Sequence, residues 1–337
     1  MVKLVILLFT CTLLWQCNRV DNKPQYVFRA SILTNENHTW FRAFAYMSEL
    51  LWERTDGRVK MEVYHSEQLA KEMEAIRLIE TEVIDMTIIG STLTNWVEVA
   101  AFCGMPYLLD NAEQQELLVN GMLGKRVEEG IRAATNLMPI ACFMRTPRHL
   151  TSNRPIRHPD DLRGLIIRVP SVPLFVTAWS AMGAKPTPMA FSEVFTSLQQ
   201  GAIEGLENPV DIILNGGFYE VQKYVNLTGH VRSWAYAAVG EKQFEKLPPD
   251  LQEIFLEVAR EMEKYEASIR KKAQEKIEQT LRDRGMEFIE VDRSAFSEKC
   301  KLAVIESLSP EMQQLFREAE ALKKTIKKNE NLHHKDL

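Results

Sequence analysis

The sequence predicts an α/β protein of two lobes, with one helix long enough to bridge them. Three observations carry this expectation. Apolar strand patterns alternate with amphipathic helix patterns over the first ninety or so residues, the alternation resumes after residue 137, and one helical periodicity persists from 248 to 285. A chain of 337 residues, 45% hydrophobic and 26% charged, is long enough to bury two cores of ordinary domain size.

Taken in order, "MVKLVILLFTCTLLWQCN" sets one lysine ahead of an apolar run from Leu4 to Trp15. That run is too short for a bilayer core, which takes about 20 helical residues, but it suits a signal-peptide core. Residues 1–17 are therefore expected to be an export signal. Cys17 follows directly and precedes the polar "NRVDNKPQ", so it stands where a lipobox cysteine would be acylated, although Trp15 and Gln16 occupy places where small residues are usual. Acylation would make the protein a periplasmic lipoprotein, tethered to a membrane and not spanning it; the alternative is a plain secretory signal.

"QYVFRASIL", "GRVKMEVYH" and "IDMTIIG" read as strands, separated by the helical "HTWFRAFAYMSELLWERT" and "AKEMEAIRLIETE". Such a βαβαβ unit implies a parallel sheet with helices on its faces. A helical stretch near 112–135 leads to the strands "MPIACFMR" and "GLIIRVP", a helix from Val172 to Met182, the strand "AKPTPM" and a helix over "FSEVFTSLQQG". Residues 25–145 are thus expected mainly in the first lobe and 146–240 mainly in the second. The segment 248–285 would start with Asp250 as N-cap and Glu253 in a capping box, and stop at Gly285. At 1.5 Å per residue it reaches roughly 50 Å, enough to span both lobes; a coiled-coil dimer arm is the other use of such a helix. Residues 286–330 are expected to add a strand and helices packed back on the lobes.

Composition narrows the function. A net charge of −5 with mixed signs gives no basic field for nucleic acid. Beyond Cys11 and Cys17, the remaining Cys103, Cys142 and Cys300 form no CxxC pair, and are expected to be buried thiols with no metal or cofactor. No GxSxG, HExxH, P-loop or strand-bound GxGxxG is present, so an exported enzyme has little support. Glu204 and Glu207 are the one carboxylate pair to consider for catalysis, and they read as surface groups near a helix start.

Arg168 is the residue that points to a ligand. It closes "GLIIR" just before Val169–Pro170, at the carboxyl end of a strand, where open α/β sheets collect their ligands. Its planar fork matches a carboxylate bidentately. The alternative is a strand-end arginine paired with a neighbouring carboxylate.

"MRTPRHLTSNRPI", "LRGLIIRVPS", "PMAFSEVFTSLQQGAIEG" and "AIEGLENPVD" together resemble the solute-binding component of tripartite ATP-independent periplasmic (TRAP) transporters, the family that includes C4-dicarboxylate and sialic acid binding proteins. The resemblance extends from about 26 to 325 and includes "TDGRVKMEVY", "GMPYLL", "LTGH" and "LPPDLQEIF". It implies a periplasmic-binding-protein-like fold with a ligand cleft between the lobes and a long helix across both. It also implies a non-enzymatic role, in which a small-molecule carboxylate is captured by lobe closure and delivered to a membrane permease, with an accessory helical-repeat (TPR) protein as a further possible partner. By the resemblance Arg168 holds the carboxylate, Arg148 is a second arginine, Asn208 closes on the same group, Phe191 packs beside the ligand and His230 lies near the site. From the residues alone, Asn208 before Pro209 also fits a helix N-cap, Phe191 fits a core position and His230 a structural one.

The chain departs from the family at His38-Thr39, where His-Pro is frequent, and at Gln68-Leu69-Ala70, where Gln-Leu-Gly is frequent. Met144, Met189, Phe191, Phe195, Trp179 and Trp234 lie near the arginines in sequence. If they line the cleft, the expected ligand is a hydrophobic organic acid, with one acidic end and an apolar tail, in competition with a dicarboxylate. A receptor lipoprotein of the same fold that presents its ligand to a sensor is the rival reading.

Overall fold

The computed structural model describes residues 23–333; the expected export signal and Cys17 lie outside them. Strands β1 (Tyr26–Ser31), β2 (Val59–Tyr64) and β3 (Met86–Ile89) alternate with helices α1 (Thr39–Arg54) and α2 (Glu72–Glu80). β1 pairs in parallel with both β2 and β3, as the βαβαβ pattern requires. The single helical stretch expected at 112–135 is two helices, α3 (Ala112–Val119) and α4 (Met122–Ala134), parted at Asn120–Gly121.

Strand β4 runs from Leu137 to Ser152. It is longer than "MPIACFMR" suggested, because its second half, "TPRHLTS", carries polar groups that serve the site and so lacks a strand's apolar signature. The second lobe adds β5 (Ile166–Val169), α5 (Pro173–Met182), β6 (Lys185–Pro188), α6 (Val194–Gln199), β7 (Gly205–Pro209) and α7 (Val210–Asn215). There β5 lies parallel to β6 and β7. β8 (Tyr224–Gly240) then runs antiparallel to β4 along nearly its whole length and ends against β3. The continuous sheet has the order β2-β1-β3-β8-β4-β7-β5-β6. Two long strands therefore cross from one lobe to the other.

The chain closes with α8 (Glu241–Glu245), α9 (Pro249–Asp283), β9 (Glu287–Ile289), α10 (Arg293–Glu306) and α11 (Pro310–His333). β9 pairs with β8. Helix α9 is the long element read from the sequence. Its first half sets Leu251, Phe255, Val258 and Met262 into the core that holds Phe28, Phe44 and Met47. Its last turns set Ile277 and Leu281 beside Leu206, Ile212 and Val225. The apolar face is thus buried within the chain against both lobes. The expected Asp250 cap is not formed. Pro248 is the N-cap residue with Pro249 at the first helical position, where its missing N–H costs nothing. Asp250 instead accepts from Arg58 Nη2 at 2.9 Å. After the helix, Gly285 takes a φ of 92°, left-handed backbone suited to glycine.

Cys103, Cys142 and Cys300 are free thiols. Burial pushes the Cys300 thiol up to about 12 and Cys103 and Cys142 in the same direction, which keeps all three protonated and unreactive. Among the described residues no helix is long and apolar enough to cross a membrane.

Candidate functional site

The inter-lobe cleft lies where β4, β5, β7 and β8 meet the starts of α1 and α2. Arg168 sits on β5 opposite Leu206 of β7 and is 4% exposed. Its Nε and Nη2 both donate to the Met189 carbonyl, at 3.0 and 2.7 Å, which aims the fork along the cleft wall. Burial pushes its guanidinium down to about 10, so it stays charged at neutral pH. The Phe191 ring lies 6.0 Å from its Cζ.

Arg148, also lining the cleft, is committed to Glu207. Its Nε and Nη2 reach the two carboxylate oxygens at 2.5 and 2.6 Å, and Nη2 also donates to the Glu207 carbonyl at 2.9 Å. The surface-pair reading of Glu204 and Glu207 is wrong. Glu204 is exposed and accepts from the Ile166 N–H, whereas Glu207 is 0% exposed. Burial alone would raise the Glu207 carboxyl, but the Arg148 charge and the hydrogen bonds from His230 and Arg148 outweigh it and hold it at about 2. His230 stands behind this pair: Nε2 is 2.9 Å from Glu207, Nδ1 is 2.9 Å from Thr228 Oγ1, and its ring meets Trp179 edge-on at 4.9 Å. Both ring nitrogens are occupied, so the structure places His230 as a support for Glu207.

That placement depends on an irregularity in β8. Between the Arg148–Val231 and Leu150–Asn226 pairs the ladder breaks, and Gly229 takes a φ of 49°. Its N–H donates to His149 Nδ1 at 3.1 Å, which requires that nitrogen to be unprotonated. "LTGH" thus carries its glycine at the bulge, where the strand takes left-handed backbone.

Asn208 lies on β7 and is 4% exposed. It is not the cap of α7, whose N-cap residue is Pro209. Among the described residues its Nδ2 has no hydrogen-bond partner although it is buried at the cleft, and the same holds for Ser233 Oγ nearby and Thr34 Oγ1 in the adjoining space. Buried polar atoms without partners are costly, and at a cleft a bound ligand or a water can supply the missing partner.

Two cleft residues were not singled out in the sequence. Arg145 lies within a bulge between Met144 and Pro147 that re-aims the strand, and its guanidinium stacks 4.8 Å from the Trp40 ring centroid. Glu72 lines the same wall and accepts from Thr92 Oγ1 at 2.7 Å; burial raises its carboxyl, against that hydrogen bond and the Arg168 charge. The only sequence signal for Arg145 was a second arginine in "MRTPR".

Three spaces of about 50, 420 and 260 Å³ share lining residues along the cleft, and Phe191 borders all of them. Trp234 lines the first, Met189 the second and Phe195 the third. Trp179 is buried in a core, and Met144 packs against that core. The lobes are closed on each other. Lys71 pairs with Glu193, Glu67 accepts from the Ser192 N–H at 3.1 Å, and Asn95 Nδ2 donates to the Ser171 carbonyl at 2.7 Å. His38 accepts the Trp40 N–H on Nδ1, so Nε2 carries its proton and donates to Asp211 at 3.1 Å.

Residues 30–318 match the family model described as bacterial extracellular solute-binding protein, family 7. A solute-binding protein of Roseobacter denitrificans is 43% identical over 280 residues, which is 83% of this chain and 86% of that protein. A crystal structure of a TRAP periplasmic solute-binding protein from the same organism, with bound L-galactonate, superposes with a TM-score of 0.86 at 41% identity, covering 88% of this chain and 99% of that one. The 2,3-diketo-L-gulonate-binding periplasmic protein of Escherichia coli is 29% identical over 268 residues, 79% of this chain and 80% of that protein. A TRAP solute-binding protein from Actinobacillus succinogenes with bound L-galactonate superposes with a TM-score of 0.81 at 25% identity, covering 88% and 99% of the two chains.

Proposed function

The chain belongs to family 7 of the bacterial extracellular solute-binding proteins, the periplasmic receptors of TRAP transporters, and on that premise we propose that its cleft captures a sugar acid for delivery to the membrane permease. The observation that carries the choice of ligand is the pairing of a buried, charged Arg168 with unpartnered polar atoms on Asn208, Ser233 and Thr34. Arg168 meets the carboxylate, and the hydroxyls of an aldonate or uronate meet the rest. Relatives with bound L-galactonate support this reading. Met189, Phe191, Phe195 and Trp234 line the cleft, as an acid with an apolar tail would require, while Trp179 is buried in a core and Met144 packs against it; the relatives with bound L-galactonate are what favour the sugar acid. Arg148, neutralised by Glu207, contributes the shape and remaining donors of its guanidinium more than net charge.

In this reading the ligand bridges the lobes, and binding is strongest in the closed state, which is what drives closure. The run from Leu4 to Trp15 and the cysteine after it support export with a lipid anchor on Cys17 as part of the same proposal.

A thermal-shift series tests the ligand class. Galactonate and galacturonate are each set against galactitol, which keeps the hydroxyls and lacks the carboxylate. At about 100 times Kd a ligand adds about 2.7 kcal/mol, so the acids should raise Tm by several degrees and galactitol should not. Equal shifts from galactitol would remove the carboxylate from the account.

A further inference from the structure

We propose that Arg145 is a second anchor of the cleft, which grips an oxygen at the end of the ligand remote from the carboxylate and so selects sugar acids with an oxygen-bearing far end. The inference rests on the sugar-acid reading above and deepens it.

Four observations carry it. First, Arg145 and Arg168 line one cleft but have partly different neighbours. Arg168 lies toward Glu67, Met189 and Phe191, whereas Arg145 lies toward Asp211 and Trp40, and the charges of Glu207, Arg148 and Glu72 act on both. Second, the carboxylates around Arg145 are already engaged with other donors. Glu207 is held by Arg148 and His230, Asp211 by His38, and Glu72 by Thr92. Among the described residues the Arg145 guanidinium forms no hydrogen bond. Third, Arg145 is half-buried, and burial pushes its guanidinium down to about 10, so it is charged at neutral pH with a partial water shell that a bound ligand would displace. A charged fork without an acceptor is costly, and a ligand oxygen would supply one. Fourth, its aim is fixed: the bulge at Met144–Pro147 sets its backbone, Gln115 Nε2 ties down its carbonyl at 3.2 Å, and the Trp40 ring supports its flat face.

A site built around a hydrogen-bond donor rejects the analogue that lacks the acceptor, because the donor is then left unpaired in the dry complex. The terminal oxygen therefore matters most to Arg145 and little to Arg168.

The experiment is calorimetric titration of L-galactonate and its 6-deoxy analogue into wild type and Arg145→Met, which keeps an apolar stem against Trp40. Wild type is expected to bind galactonate at least about tenfold more tightly than the 6-deoxy acid. Arg145→Met should shrink that ratio to within about threefold, mainly by weakening galactonate. Equal affinities in wild type would overturn the inference whatever the variant does, as would a variant that weakens both acids alike. If wild type binds neither acid, the sugar-acid reading itself fails and takes this inference with it.

Discussion

The Arg148–Glu207 pair is the most heavily committed charge interaction in the cleft wall, and two predictions follow from its surroundings. Removing one partner of a buried pair leaves the other uncompensated, so Glu207→Ala should cost about 3–5 kcal/mol of stability in urea denaturation. A loss under 1 kcal/mol would mean that Arg148 finds another partner. The second prediction concerns His149. Burial pushes its imidazole from the ordinary 6.5 down to about 3. The unfolded chain takes up that proton below about 6.5 and the folded chain does not, so the contribution is complete above 6.5 and is lost as pH falls toward 3. Stability should fall by up to about 1.4 kcal/mol per pH unit across that window, and His149→Gln should flatten the slope. Below the ordinary carboxylate range Glu207 and Asp211, both held at about 2, add their own losses. Arg168 drew notice because it closes a strand at the sheet's binding edge, and Asn208 only through the resemblance of "ENP" to the family, since its residues alone also fit a helix cap. Glu207 was not, since nothing local says that a glutamate meets an arginine 59 positions away and a histidine 23 positions away. Arg145 was hidden by a bulge that no periodicity reports.

At the scale of elements, α9 ties the lobes together through two apolar patches separated by a more polar middle. Glu266 in that middle is 1% exposed and accepts from Thr39 Oγ1 at 2.9 Å, which joins the helix to the start of α1. Leu281 is fully buried in the second-lobe core. Leu281→Ala should cost about 2–5 kcal/mol in denaturant unfolding, the range for emptying a buried leucine site. A cost below 1 kcal/mol would show that the last turns of α9 are not a structural tie. The 3.6-residue period made this helix readable nearly to its ends. Its cap was misread because Asp250 has the residue type of a cap, while Arg58, far away in sequence, claims its carboxylate. Strand β4 was half legible for a related reason: the strand signal is apolar, and the half that serves the cleft is polar.

At the scale of the whole molecule, β4, β8 and α9 connect two lobes whose mouth is closed by Lys71–Glu193, Glu67 on the Ser192 N–H and Asn95 on the Ser171 carbonyl. Surface contacts of this kind are worth little individually, so in the proposed reading a bound ligand shifts the balance toward the closed state. Solution scattering should accordingly show a smaller radius of gyration after a saturating sugar acid is added, and no change would argue against closure as the response to binding. The lobes were readable from alternation alone, and the cleft from the resemblance of its motifs; which side chains face each other across it required the register of β4 against β7 and β8. The central claim is that Arg168 anchors a ligand carboxylate. Its most direct test is calorimetric titration of galactonate into wild type and folded Arg168→Ala: the account predicts a loss of about 2–5 kcal/mol, roughly 30-fold to several-thousand-fold in Kd, and unchanged affinity would contradict it.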